Sequence, residues 1–597
     1  MWLINFTFNS QPSKFNKQIN KKMRTIIRYI LGTILSVSFM HLAGQSYSEL
    51  YFQATGSPMN PKVQVSWNHY HTNAGLEKIY KEIVKAYPNL ARLENIGKSI
   101  GNRDIWVLTI SDFKKGDPDR KPAMWVDGNI HGNEIQGSEM ALYIAWYLTE
   151  MHQSNNYLQE LLEQKTFYIA PTINPDGRAI FTEESGALRS GVLPLDNDRD
   201  GIADEDDAQD LNGDGFITQM RKKNPNGQYI VDRNYPNRLI PKPVGVQGEY
   251  DLLGNEGSDN DGDGRVNEDG PGGYDPNRDW GFNWQPNFIQ SGALKYPFSL
   301  PESRAVRDFI VKHNNIAGSQ SFHNNGGQLL SPPGAEGDVD KVSRSDRAVY
   351  DEIGKKGEEL VPDYAYYVLY RDLYTVFGGE LDWSVFGRGI FSFSNELWAS
   401  AMMYRGKYQG DPASMQYEFE KSLLFIDSFV AWEEYDHPVY GKIEIGGLKK
   451  NSTSRLHPGF LFEGDAHRNA AFVIFHAYHT PLLSVSNVTE KALDGGYKEI
   501  TVDITNHRLI PTHSSYDVQN KIERPDWVSI SGPQVIAGLV MQNVYNNQGT
   551  EQKIDPAKLA VSNIPGNSTV SVRWIVKGNQ KYTITVDSAK GGLATNN

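Results

Sequence analysis

The chain has 597 residues, enough for two or three domains with sizeable cores. Its 59 Lys and Arg against 72 Asp and Glu give a net charge of −13, which argues against a duplex nucleic-acid binder because no basic excess is left to neutralise phosphates. Some of that acidity is concentrated in two Asp-rich stretches, so net charge does not identify a substrate.

In chain order, the first pattern is an address. From Met23, MRTIIRYILGTILSVSFMHLAGQS carries Arg24 and Arg28, an apolar run from Tyr29 to Met40, and small residues at Ala43 and Gly44. This reads as a secretory signal cleaved near Gly44 or Gln45, with an apolar run too short for a comfortable membrane span. Residues 1–45 are therefore assigned to targeting and 46–64 to a linker. The expected location is periplasmic or extracellular, with no stable membrane span after signal removal. With no cysteine, the chain has no disulfides to stabilise it in that compartment.

Residues 75–87 have the spacing of an amphipathic helix, and 121–129 (KPAMWVDGN) that of a buried strand. Helix 134–151, strand 166–174 and the turn Asn174-Pro175-Asp176-Gly177 follow, then helix 301–313, strand 316–323, strand 389–397 and helix 416–435. Alternating strands and helices predict an α/β domain with a mainly parallel or mixed sheet flanked by helices, over residues 65–436. Beyond Pro438, the runs 471–479, 497–507, 568–578 and 581–588 are short and β-rich with no strong helix between them. Residues 437–597 are expected to form an all-β sandwich.

Strand 121–129 runs into GNIHGNEIQG, placing His131 at its C-terminal end and Glu134 in the first turn of the next helix. Ligands bind at that edge of open α/β sheets. A His and a carboxylate three residues apart can converge on one metal ion, and His323, closing IAGSQSFH, is the candidate third ligand. Two His and one Glu leave a fourth position open, the catalytic arrangement of zinc.

HGNE, NPDGR, DPNRDWGFNW, SFHNNGG, LYTVFGGELDW and FSFSNEL together resemble, in order and approximate spacing, the zinc carboxypeptidase family typified by carboxypeptidase A. The resemblance covers about residues 65–435. It implies one catalytic Zn2+ on His131, Glu134 and His323, with Glu396 as general base. It implies that Asn277 and Arg278 bind the substrate's terminal carboxylate, that Asp275 receives the second N–H of a metal-bound His, and that Tyr374 closes over the substrate. For the arginine that stabilises the oxyanion, Arg221 in QMRKKNPNG is the candidate, with Lys222 and Lys223 as alternatives. Leu381 matches the floor of the terminal side-chain pocket and implies apolar terminal residues, although the adjacent Glu380 could intrude.

Between NPDGR and DPNR lies a long insertion, about 190–272. Asp196, Asp198, Asp200 and Asp204, with Gly201 sixth and Asp207 twelfth, follow a DxDxDG calcium-loop pattern. Asp259, Asp261, Asp263, Gly264 and Asn267 form a second, with Glu268 or Asp269 available to complete it; Asp210, Asn212, Asp214 and Gly215 form a weaker third. Structural Ca2+ is expected there, bracing Arg221 and the Asn277-Arg278 pair.

The chain thus reads as an exported, monomeric zinc metallocarboxypeptidase acting on peptide or protein C-termini, with no nucleic-acid partner. The alternatives are a cell-wall peptide amidase and a catalytically inactive peptide-binding protein on the same fold.

Overall fold

The computed structural model describes Phe52 and residues 54–596; the targeting segment 1–45 and the first part of the linker, 46–51 with 53, lie outside the described residues. Val63–Asn597 forms one compact unit. Among the described residues, no helix is long and apolar enough to cross a membrane.

Its centre is an eight-stranded mixed sheet in the order Ala91–Lys98, Asp104–Ile110, Thr166–Ala170, Ala123–Gly128, Ile316–Asn324, Phe391–Leu397, Gln328–Ser331, Ala365–Val368. The four strands from Thr166–Ala170 to Phe391–Leu397 run parallel to one another. Every residue of Thr166–Ala170, Ala123–Gly128 and Ile316–Asn324 is buried, as expected for strands covered on both faces. Helix Gln136–Met151 has 15 of its 16 residues buried, so it is apolar nearly all round rather than along one stripe.

That helix begins directly on the strand ends. A Cβ on Gly128 would lie 2.5 Å from the carbonyl carbon of Gly137, and one on Gly137 would lie 2.8 Å from the Phe322 carbonyl oxygen. Only glycines permit this approach, which brings the turn 129–135 against the ends of two adjacent strands.

The segment after Pro438 departs from expectation. Residues 471–479 are not a strand: they belong mostly to the 20-residue helix Gly459–Tyr478, whose Phe462, Ala466, Phe472 and Val473 are buried in the main core. A short apolar run is equally compatible with a buried helix, and its partners decide. The expected helix 416–435 is divided into helix Met415–Leu423 and strand Phe429–His437. That strand pairs with Gly441–Leu448, which pairs with Gln219–Lys223 of the insertion, in a six-stranded sheet.

The sandwich therefore starts later than expected, at Leu483. A five-stranded and a four-stranded antiparallel sheet enclose Ile500, Val502, Val528, Leu559, Val572, Trp574 and Val586. Lys590, 3% exposed, fastens it by donating to the carbonyls of Arg388 (2.7 Å) and Gly389 (2.8 Å).

Candidate active site

Three sheet positions converge at the C-terminal edge of the parallel strands. Asn129 adopts φ 58°, and its side-chain amide donates to the carbonyls of His131 (2.6 Å) and Gly132 (3.1 Å), fixing the turn that presents His131. Glu134 follows at the entry to helix Gln136–Met151. His323 and Glu396 are direct cross-strand partners in the parallel pair Ile316–Asn324 and Phe391–Leu397.

His131 Nδ1 lies 3.0 Å from Glu134 Oε2, His323 Nδ1 lies 3.1 Å from the same oxygen, and the two ring nitrogens are 3.2 Å apart. A tetrahedral ion with bonds of about 2.0–2.1 Å sets ligand separations of about 3.3 Å, so this buried group could hold zinc with little adjustment. Glu134 Oε1 turns the other way, to Arg189 Nη1 at 2.9 Å. His131 Nε2 faces Asp275 Oδ1 at 2.9 Å, the arrangement that fixes a ligand's tautomer and leaves Nδ1 for the metal.

The electrostatics follow from these pairs. Burial by itself raises the Asp275 carboxyl, but the His131 ring, Arg278 and Arg189 outweigh it and hold the group well below the usual range. Glu396 is pushed up to about 7, chiefly by burial, with His323 lowering and Glu134 raising it.

One cleft is lined by His131, Glu134, His323, Glu396, Asn277, Arg278, Tyr374 and Leu381. Arg278 is 6% exposed and donates to the Asn277 carbonyl at 2.7 Å, while Tyr374 is 48% exposed. Leu381, with Leu330, Leu369, Leu373 and Val376, gives the cleft an apolar wall. Glu380 is 3% exposed; its Oε2 reaches Ser321 Oγ at 3.5 Å, and burial followed by the neighbouring Asp127 raises its carboxyl well above the ordinary value. Burial raises Asp127 too, and two carboxyls this close disfavour being ionised together.

Arg221 is the correction. It does not line this cleft: Nε donates to Glu444 Oε2 at 2.7 Å, and the guanidinium lies over Tyr250 (4.2 Å) and Trp432 (4.0 Å). The insertion folds as its own sheet on Gly441–Leu448 and takes Arg221 with it. Lys223 is bound to the same Glu444 at 2.7 Å, and Lys222 donates to the Tyr440 carbonyl at 2.7 Å. The cleft instead receives Arg189, which joins Glu134 to Asp275 (Nη2 to Oδ2, 3.1 Å), and Arg455, which lies 3.4 Å from Glu134 Oε1. Sequence reasoning missed both. A usable signal existed for Arg189: it precedes the acidic stretch, so no insertion separates it from NPDGR. Arg455 lies outside every motif.

In the insertion, Asp196, Asp210 and Asp259 each accept backbone N–H groups from the third and fifth residues onward: Arg199 and Gly201, Gly213 and Gly215, Gly262 and Gly264. All three loops share one turn, including the weaker third. Ligand-capable oxygens gather as Asp196, Asp198 and Asp269; Asp198, Asp200 and Glu205; and Asp259, Asp261 and Asp263. Asp204 and the exposed Asp207 are not in these groups, and Asp204 Oδ1 accepts from Leu195 N at 3.4 Å. Asn267 turns its amide to the Asn255 carbonyl at 2.9 Å. The loops are cross-tied: Asp269 accepts from Asn197 N (2.9 Å) and Asp204 N (3.0 Å), while Asp206 accepts from Asn260 N (2.9 Å) and Asn267 N (2.7 Å). Asp269, offered from sequence with Glu268 as a residue that could complete the second loop, instead gathers with Asp196 and Asp198 of the first.

Fold and site together define an α/β protein with a two-histidine, one-glutamate metal-binding group and a carboxylate facing it. The profile of the family "Zinc carboxypeptidase" matches residues 76–409, more than half of the chain, and the chain belongs to that family. Residues 482–597 match a domain of unknown function (DUF8731). Carboxypeptidase SOL1 of Arabidopsis thaliana is 36% identical over 111 residues, 19% of this chain and 22% of that protein. The carboxypeptidase N catalytic chain of Rattus norvegicus is 28% identical over 183 residues, 30% of this chain and 39% of that one. The chain therefore matches well under half the length of either relative. Among solved structures, carboxypeptidase A from Helicoverpa armigera aligns over 76% of this chain and 86% of its own at 16% identity and a TM-score of 0.42. Murein-tripeptide amidase MpaA from Escherichia coli O157 aligns over 56% and 95% at 12% identity and a TM-score of 0.22.

Proposed function

We propose that the chain is an exported zinc metallocarboxypeptidase that hydrolyses the C-terminal peptide bond of peptides or proteins. The observation that carries this reading is the convergence of His131, Glu134 and His323 with Glu396 in the same cleft as Asn277 and Arg278.

The ligand group His131, Glu134 and His323 would hold zinc, which when bound supplies the Lewis acidity that makes a water nucleophilic near neutral pH. Arg278 and Asn277 hold the terminal carboxylate of the substrate and so set which bond lies beside Glu396. Glu396 takes a proton from the attacking water and delivers it to the leaving amine. Arg189 donates to the oxygen that gains negative charge, the role expected of Arg221 from sequence. Tyr374, exposed at the cleft mouth, is free to close on bound peptide. The apolar wall of Leu330, Leu369, Leu373, Val376 and Leu381 favours an apolar terminal side chain.

Replacing Arg278 with Ala is expected to remove the discrimination between free and amidated C-termini. Loss of one partner of a buried charge pair costs ~2–5 kcal/mol, on the order of 30- to 5 × 10³-fold in kcat/KM for the free acid. Mass-spectrometric profiling of residues released from a peptide library reads the loss. Equal cleavage of both peptide forms by the unmodified protein excludes a carboxypeptidase.

Support for export is the apolar segment after Met23. Support for calcium is the shared turn of the three Asp loops and their cross-ties. Calcium would turn mutually repelling carboxylates into a rigid support ending at Asp269, shortly before Asp275. Chelating calcium with zinc kept saturating is expected to lower Tm and open residues 190–272 to proteolysis. Unchanged Tm, activity and cleavage pattern would overturn the calcium reading.

A further inference from the structure

The cleft contains three guanidinium groups, of which the proposed reaction uses two. Arg278 takes the terminal carboxylate and Arg189 the developing oxyanion, leaving Arg455 without a task.

Arg455 is held for one. Its own carbonyl accepts from Asn324 Nδ2 at 3.1 Å, the preceding Ser454 carbonyl accepts from Asn325 Nδ2 at 3.0 Å, and the Thr453 carbonyl accepts from Trp398 Nε1 at 2.9 Å. These bonds tie the segment to the ends of the strands that carry His323 and Glu396. Its Nη2 donates to the Asn324 carbonyl at 2.8 Å and lies 3.4 Å from Glu134 Oε1, yet the side chain stays 40% exposed. A guanidinium serving only to neutralise Glu134 would duplicate Arg189, which is closer to the same oxygen at 2.9 Å. The segment also lies beyond residues 76–409, so the family profile does not include it.

Position decides what Arg455 can reach. Arg278 contacts Asn277 and Asp275, whereas Arg455 contacts Asn324, and the two share no partner. Both line the same cleft, Arg278 beside Asn277 and Asp275 and Arg455 beside Asn324 and Glu134. With the terminal carboxylate taken by Arg278, Arg455 is the cleft guanidinium left for the part of the peptide that precedes the scissile bond.

We propose that Arg455 is a substrate-binding residue for the acyl side of the scissile bond, donating to an oxygen acceptor on the residues that precede it. The inference rests on the carboxypeptidase reading of the cleft. The acceptor is either an acidic side chain or a main-chain carbonyl; both offer the oxygen lone pairs that a guanidinium fork fits.

The test uses the full chain, zinc-loaded, in a Glu396→Gln background so that peptides bind without turnover. N-acetylated Ala-Leu, Asp-Leu, Ala-Ala-Leu and Asp-Ala-Leu are titrated calorimetrically against this protein and against the same protein carrying Arg455→Ala or Arg455→Lys. Arg455→Ala is expected to raise Kd about 10- to 100-fold, with partial recovery in Arg455→Lys. A loss confined to the Asp peptides assigns the side chain as acceptor; an equal loss on all four assigns the carbonyl. In the otherwise unmodified enzyme, Arg455→Ala is expected to raise KM with kcat and bound zinc nearly unchanged. Kd values within twofold for every peptide overturn the proposal, as does a loss explained by missing zinc. If none of the peptides binds while Arg455 is intact, the carboxypeptidase reading itself fails.

Discussion

Replacing Glu396 with Gln is expected to reduce kcat by at least about 10³-fold while leaving bound zinc at the level of the unmodified protein. The amide keeps the shape of the side chain but cannot accept the proton of the attacking water, and general-base catalysis alone contributes about 10²–10⁴-fold. Zinc is retained because Glu396 is not among His131, Glu134 and His323. Metal analysis of the purified variant beside its turnover separates the roles, and turnover within tenfold of the parent would remove Glu396 as the base. The pH profile offers a second check. Glu396 works only when deprotonated, so kcat/KM rises with pH through its pKa. Burial pushes that pKa from the ordinary 4.5 to about 7, and a bound divalent cation pulls it back down. An acid limb centred between these two values is expected, and it should disappear from the residual activity of Glu396→Gln.

The second large effect distinguishes two arginines. Arg189→Ala is expected to lower kcat about 10²–10³-fold, the cost of removing one donor from a developing oxyanion. Arg221→Ala should leave kcat of the folded protein unchanged and lower its stability. The reason is location: Arg221, 6% exposed, is paired with Glu444 and stacked on Trp432, whereas Arg189 lines the cleft with Glu134 and Asp275. Breaking a buried ion pair costs about 3–5 kcal/mol when the partner charge is stranded, and Lys223 beside Glu444 reduces that cost. Steady-state kinetics with a thermal melt on each variant reads both results. A loss of kcat in Arg221→Ala with Arg189→Ala unaffected would reverse the assignment.

The two arginines also mark where sequence reasoning stops. His131, Glu134 and His323 were legible because each closes a strand or opens a helix whose periodicity is clear, and a parallel sheet brings such ends to one edge. Glu396 was singled out only through its motif, and the register with His323 explains why it lies beside that group. Arg221 was misplaced because it stands in the right interval of sequence, while the insertion in that interval folds onto strands more than two hundred residues downstream. Pairing with Gly441–Leu448 is a long-range event with no local signature. The same holds for Arg455, delivered by a segment between a strand and a helix that sequence had assigned to a separate sandwich.

Helix Gly459–Tyr478 shows the physical limit most directly. Its AFVIFHAYH run is compatible with a strand or a buried helix, and local periodicity cannot choose when apolar residues occupy nearly every face. Packing against helices Gln136–Met151 and Arg344–Leu360 chose the helix and moved the start of the sandwich to Leu483. Sequence alone thus determined the α/β class through local periodicity, picked out His131, Glu134 and His323 through strand and helix ends that the structure brings into one group, and encoded the Asp-loop turns within a few residues of themselves. Tertiary structure decided which arginines reach the cleft, which loop Asp269 serves, and that Glu380 turns toward Ser321 and Asp127, because those outcomes depend on which distant backbones pair and which side chains are buried together.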